Sequence, residues 1–176
     1  MLRNIWTFIF VFSLHLTAIC QPDGLVNYDH IYDTKIKSVI LRPFGSNTGF
    51  PSIFLNGDQQ LELLFDDLYG DFTYYKYRIV QCDALWNPSQ LNEIEYIQGF
   101  NDQEIREYAY SVNTRIVYTR YNLTFPNDLI GLTKSGNYLI HVYRDDDNIP
   151  VLTRGFVVSD HLFGVGGSIF GDRTLG

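Results

Sequence analysis

The sequence predicts an all-β protein, two antiparallel sheets packed face to face. Three observations carry this. From position 36 onward apolar residues mostly alternate with polar ones, as half-buried strands require, instead of recurring every three or four. Each alternating run is bounded by Gly, Pro, Asn or Asp. Aromatic residues reach 16% of the chain, and together with β-branched residues they suit a pleated surface.

The runs follow in order. Ile36 to Arg42 opens the series, followed by Pro51 to Leu55 and then Gln60 to Phe65, where Leu61, Leu63 and Phe65 share one face. Phe72 to Cys82 is the longest, with Tyr75, Tyr77 and Ile79 on one side and Lys76 and Arg78 on the other. Ile116 to Phe125 groups Tyr121, Leu123 and Phe125 against Arg120, Asn122 and Thr124. Tyr138 to Tyr143 and Val151 to Val158 complete a set of about seven strands in roughly 125 residues, the size of an immunoglobulin- or fibronectin-like antiparallel β-sandwich. Within Leu132 to Tyr138, Gly136 precedes a strand-opening Tyr138. That is the pattern of a tyrosine corner, whose hydroxyl bonds back to upstream backbone.

Leu85 to Asn113 breaks the alternation and predicts one long crossover connection with about one helical turn. Connections of this length in a compact domain are uncommon and often functional. This one carries Trp86, Tyr96, Phe100, Tyr108 and Tyr110. Trp86, Tyr96, Phe100 and Tyr108 are the candidate partner contacts, because aromatic residues on a loop suit an interface. The alternative reading is that they fold down and cap an open end of the sandwich.

The flanks divide as follows. Residues 1–20 have the form of a secretory signal peptide: Arg3 is the positive start, Ile5 to Phe12 the apolar stretch, and Ala18-Ile19-Cys20 the cleavage region. The strongly apolar run from Ile5 to Leu14 falls well short of the ~20 residues a spanning helix needs. Residues 21–35 form an extended N-terminal arm, 36–160 the β-sandwich domain, and 161–176, ending in a Gly-rich stretch, the start of a truncated second region. Removal of Cys20 leaves Cys82 alone, so no intramolecular disulfide forms and the core alone holds the domain. Cys82 reads as a small buried hydrophobe at a strand end.

The formal net charge is −7, and the chain contains only four lysines. Nucleic acid and anionic membrane surfaces are disfavoured as partners, since both need clustered cations. No catalytic or cofactor motif appears: there is no Gly-x-Ser-x-Gly elbow, no dinucleotide fingerprint and no P-loop. His15, His30, His141 and His161 lack any zinc-type spacing. Carboxylates cluster at Asp66-Asp67-Leu68-Tyr69-Gly70-Asp71 and at Asp145-Asp146-Asp147, and oxygen-rich loops of this kind could hold calcium. Both fall where hairpin turns are expected, and Asp is a preferred turn residue. No metal, cofactor or catalytic residue is assigned, and a non-enzymatic protein is expected.

Several segments recur in a familiar order: Tyr28-Asp29-His30-Ile31-Tyr32-Asp33, Leu63-Leu64-Phe65-Asp66-Asp67-Leu68, Tyr77-Arg78-Ile79-Val80-Gln81-Cys82-Asp83-Ala84-Leu85-Trp86, Glu95-Tyr96-Ile97-Gln98-Gly99-Phe100, Phe125-Pro126-Asn127-Asp128, Ser135-Gly136-Asn137-Tyr138 and Val151-Leu152-Thr153-Arg154-Gly155-Phe156. In order and spacing, over residues 28 to 158, the series resembles the N-terminal domain of the type IX secretion system plug protein family of Bacteroidota. The resemblance implies an exported, periplasmic protein associated with the outer membrane but not inserted in it. It implies a partner, the outer-membrane translocon β-barrel of that system, whose periplasmic mouth members of the family occlude. It assigns no individual residue a role. Members of that family run considerably longer than this chain. An exported carbohydrate-binding β-sandwich is the alternative, resting on Trp86, Tyr96 and Tyr108 as rings on which sugars could stack.

Overall fold

The computed structural model describes residues 25–145 and 148–160. The expected signal peptide, the expected second region and two of the three aspartates at Asp145-Asp146-Asp147 lie outside the described residues.

The elements run β1 (His30–Ile31), β2 (Ile36–Pro43), β3 (Ser52–Phe54), β4 (Leu61–Asp67), β5 (Tyr75–Cys82), α1 (Glu93–Tyr96), β6 (Ile97–Gly99), β7 (Gln103–Glu104), β8 (Glu107–Tyr110), β9 (Thr119–Phe125), β10 (Ile130–Leu132), β11 (Gly136–Arg144) and β12 (Pro150–Ser159). They build an all-β sandwich. A six-stranded sheet has the order β1-β12-β11-β5-β7, with β3 also paired to β12, and a four-stranded sheet has the order β2-β4-β9-β8. A two-stranded ribbon, β10-β6, completes the described strands. Pairing is antiparallel except between β3 and β12.

The seven expected runs each contain a strand, and their alternation sets the core. Tyr75, Tyr77 and Ile79 of β5, Tyr138, Ile140 and Val142 of β11, and Phe156 and Val158 of β12 are buried against Leu61, Leu63 and Phe65 of β4 and Tyr121, Leu123 and Phe125 of β9. The interior is an aromatic stack. Phe65 lies parallel to Tyr121 at 5.1 Å, Tyr75 meets Tyr121 edge-on at 4.8 Å across the two sheets, and Phe125 meets Phe156 at 5.2 Å. Pairs of this kind contribute about 0.5–1.5 kcal/mol each beyond their burial.

The strand count exceeds seven because β1 forms in the N-terminal arm, β10 ahead of Gly136, and three more strands in the long connection, which is not one irregular loop. That connection holds the single helical turn α1, then β6, β7 and β8. Ile105, buried between β7 and β8, marks where the chain leaves one sheet for the other: its N–H donates to the Tyr75 carbonyl at 2.8 Å, and two residues later β8 pairs with β9. Two- to four-residue strands with polar flanks carry too little alternation to be read in advance. The tyrosine corner is present. Tyr138, fully buried, donates from its hydroxyl to the Lys134 carbonyl at 2.8 Å.

The outer face of the six-stranded sheet holds a second, smaller buried layer. His141 Nδ1 and Thr153 Oγ1 lie 2.9 Å apart, Thr153 Oγ1 and the Tyr32 hydroxyl 3.1 Å apart, and that hydroxyl accepts from the Val26 N–H at 2.9 Å. Burial, with the Arg78 charge adding to it, pushes His141 from 6.5 down to about 4. The segment ahead of β2 is thereby tied down to the sheet it crosses, and an Arg144–Asp33 ion pair at 2.7 Å adds to the tie.

Candidate docking surface

The structure separates the four aromatic candidates. Tyr96 is 4% exposed and packs against Tyr138 at 6.1 Å, so its ring belongs to the core and offers no contact surface. Trp86 is half-buried, with its indole laid over Gly155 of β12. Phe100 is 68% exposed, beyond the end of β6 and apart from the other three. Tyr108 is 44% exposed on the edge strand β8. The connection thus divides: Tyr96, Ile97 and Ile105 cap the core, while Phe100 and Tyr108 are exposed to solvent. Of the three rings proposed for sugar stacking, Tyr96 is inside, Trp86 covers backbone, and Tyr108 alone stays open on its edge.

Around Tyr108 the fold assembles a patch that the linear sequence scatters. Phe72 meets Tyr74 at 4.5 Å and Tyr108 at 4.7 Å, and Tyr108 meets Tyr110 at 5.6 Å. The Arg144 guanidinium lies 5.7 Å from the centre of the Tyr69 ring. Val112, Ile116 and Val117, on the turn between β8 and β9, extend the exposed apolar surface, and Val117 sits directly over Gly70.

Local chemistry explains the placement. At the end of β4, Asp67 is fully buried and accepts from the Tyr69 N–H at 2.8 Å, the Thr73 hydroxyl at 3.2 Å and the Tyr75 hydroxyl at 2.9 Å. Gly70, at φ +80°, supplies the left-handed step the turn needs. Tyr121 accepts from the Thr73 N–H at 2.7 Å and donates to the Thr73 carbonyl at 3.0 Å. Residues 67 to 75 are pinned at both ends, and Tyr69 and Tyr74 are turned outward. One signal in the sequence points here: Phe72 and Tyr74 fall in phase with Lys76 and Arg78, the outward-facing side of the run.

Two further carboxylates of the aspartate clusters are engaged structurally. Asp66 accepts from Arg120 Nε at 2.8 Å and from Arg120 Nη2 at 3.1 Å, and Lys76 pairs with Asp145 at 2.5 Å. Among the described residues no group of three or more His, Cys, Asp or Glu could hold a metal ion. Burial, with the Asp83 charge as a smaller cause, pushes the Cys82 thiol up to about 11, which leaves it protonated and inert at neutral pH. No helix among the described residues is long and apolar enough to cross a membrane.

The described residues thus form a two-sheet sandwich with an exposed aromatic edge. The type 9 secretion system plug protein first-domain family matches residues 36–160, most of the chain, and the protein belongs to that family. Among solved structures, a hypothetical protein from Parabacteroides merdae ATCC 43184 is similar at 35% identity and a TM-score of 0.73, covering 77% of this chain and 34% of its own. The chain thus spans about a third of that protein's length. No curated protein matches the chain.

Proposed function

We propose that the protein is a non-enzymatic component of the type IX secretion system that plugs the periplasmic side of the outer-membrane translocon barrel. The family match over residues 36–160 carries this reading. In it the chain is exported, resides in the periplasm and associates with the outer membrane through the barrel, without inserting into the bilayer. The task asks for shape and a broad contact surface. The patch around Phe72, Tyr74, Tyr108 and Tyr110 supplies such a surface, since aromatic side chains dominate interface energetics. Phe100, 68% exposed, is a secondary contact in this proposal.

The test is affinity capture of the tagged full-length gene product from solubilised outer membranes, with mass spectrometry of the retained proteins. Recovery of a very large β-barrel that is lost in a folded Tyr74→Ser, Tyr108→Ser double variant supports the reading. Recovery of no barrel overturns it, and retention of glycan-handling proteins would favour the carbohydrate-binding alternative.

A further inference from the structure

In the six-stranded sheet the outer edges of the long strands β12 and β5 are covered by short segments. The outer edge of β12 is taken by β1 at Leu152 and Thr153 and by β3 from Val157 to Ser159, and between them the Asp29 carboxylate accepts from the Gly155 N–H at 2.7 Å. The outer edge of β5 is taken by β7 at Lys76 and Tyr77. Further along, the Asn101 side chain accepts from the Ile79 N–H and donates to its carbonyl, both at 2.8 Å, and the Ser89 N–H donates to the Gln81 carbonyl at 2.8 Å. In the four-stranded sheet, β2 is broken by a shift between Lys37 and Ile40, holds Ser38 at φ 51°, and carries Lys37 and Pro43. Lysine, proline and bulges are the usual protections against strand addition.

β8 has no lysine, proline or bulge, and only its four-residue length and Glu107 guard it. Its four residues keep unbroken register with β9, from Glu107 opposite Asn122 to Tyr110 opposite Thr119. One bond fixes which way its backbone points. The Ser111 N–H donates to the Tyr118 carbonyl at 2.9 Å, and because bonded pairs alternate in an antiparallel ladder, Ala109 and Glu107 are the residues bonded to β9. The N–H and C=O of Tyr108 and Tyr110 therefore point to the open edge.

We propose that β8 is a self-pairing edge, to which β8 of a second copy of this chain adds antiparallel about a two-fold axis through Ala109. The sequence of the strand is self-complementary in that register. Tyr108 of each copy exchanges backbone hydrogen bonds with Tyr110 of the other, which makes Ala109 opposite Ala109 the close, non-bonded pair, about 4.5 Å between Cα atoms, where small side chains belong. Glu107 falls opposite Ser111, so no like charges meet. The tyrosines of both copies extend one aromatic row, flanked by the exposed Val112, Ile116 and Val117. β12 starts beside the Tyr75 end of the sandwich and runs ten residues, roughly 30 Å, so the chain leaves Ser159 at the opposite end from β8.

The inference does not rest on the secretion reading, but both use Tyr108 and Tyr110 of β8, so self-pairing and docking compete for one edge; crosslinking at the axis tests the self-pairing directly. In a Cys20→Ser background, Ala109→Cys is predicted to form a disulfide-linked dimer under mild oxidation, because cross-strand pairs at that separation lie within disulfide reach. Ser111→Cys is predicted to stay monomeric, since its counterpart is Glu107. Cys82 is buried and does not compete. By sedimentation, wild-type protein is predicted to reach twice the monomer mass as concentration rises, and Ala109→Glu, folded by circular dichroism, to remain monomeric. A wild-type monomer at every concentration, equal crosslinking at 111, or a wild-type dimer that survives Ala109→Glu would each overturn the proposal.

Discussion

The indole of Trp86 lies across Gly155 so closely that a Cβ on the glycine would stand 2.9 Å from Cζ3 and 3.1 Å from Cη2. Trp86 reaches this position from a left-handed backbone, φ 66°, which a bulky residue adopts only when its surroundings impose it. Asp83 imposes it. Its carbonyl accepts from the Trp86 N–H at 3.1 Å, and its carboxylate accepts from the N–H groups of Leu85 at 2.8 Å and Asn87 at 2.9 Å. Trp86→Ala is predicted to cost about 2 kcal/mol, below the fully buried range because the ring is half-exposed. Gly155→Ala displaces the same ring and is predicted to cost about 1 kcal/mol. In chemical denaturation the double variant should lose less than the sum, since either change breaks the same contact.

Tyr138→Phe isolates the tyrosine corner. The variant keeps the ring stacked on Phe156 at 5.3 Å and removes only the hydroxyl bond to the Lys134 carbonyl. A loss of about 1 kcal/mol in denaturation midpoint is expected. An unchanged midpoint would mean the corner contributes nothing to stability.

Acid should loosen the outer buried layer. His141 is held near 4 in the folded protein against 6.5 when free, so the unfolded chain takes up its proton first as pH falls. Stability from this residue is fully present above about 6.5, declines between about 6.5 and 4, and is gone below. The difference corresponds to about 3 kcal/mol. Urea midpoints measured from pH 7.5 down to pH 4 should fall more steeply for wild type than for His141→Gln, and parallel slopes would refute the assignment.

Much of this architecture was legible because alternation reports burial directly. Leu61, Leu63 and Phe65, or Tyr121, Leu123 and Phe125, declare their face in three residues. β8 did not declare itself: Glu107, Tyr108, Ala109 and Tyr110 are all exposed, so no apolar face was there to read, and only its pairing with β9 makes it a strand. Tyr96 misled in the opposite direction. Polar neighbours in α1 hide the fact that one turn of helix drives its ring inward. The aromatic patch was illegible for a different reason, since Phe72 and Tyr108 are distant in sequence and meet only through the switch of sheets at Ile105.

Asp67→Asn tests the turn that orients the patch. The carboxylate satisfies three donors, and an amide in its place would turn N–H groups toward the Thr73 and Tyr75 hydroxyls or toward the Tyr69 N–H. A loss of about 2–3 kcal/mol is expected. Tyr75→Phe alone should cost less, and the pair should be non-additive in a thermal or chemical melt.

The clamping of β12 has a mechanical consequence. Its hydrogen bonds to β11 on one side, and to β1 and β3 on the other, lie across the strand axis. Tension drawn outward along that axis from Ser159 loads them together in shear, so that no single bond is peeled ahead of the rest. The sandwich is thus a firm anchorage for force applied through its last described strand.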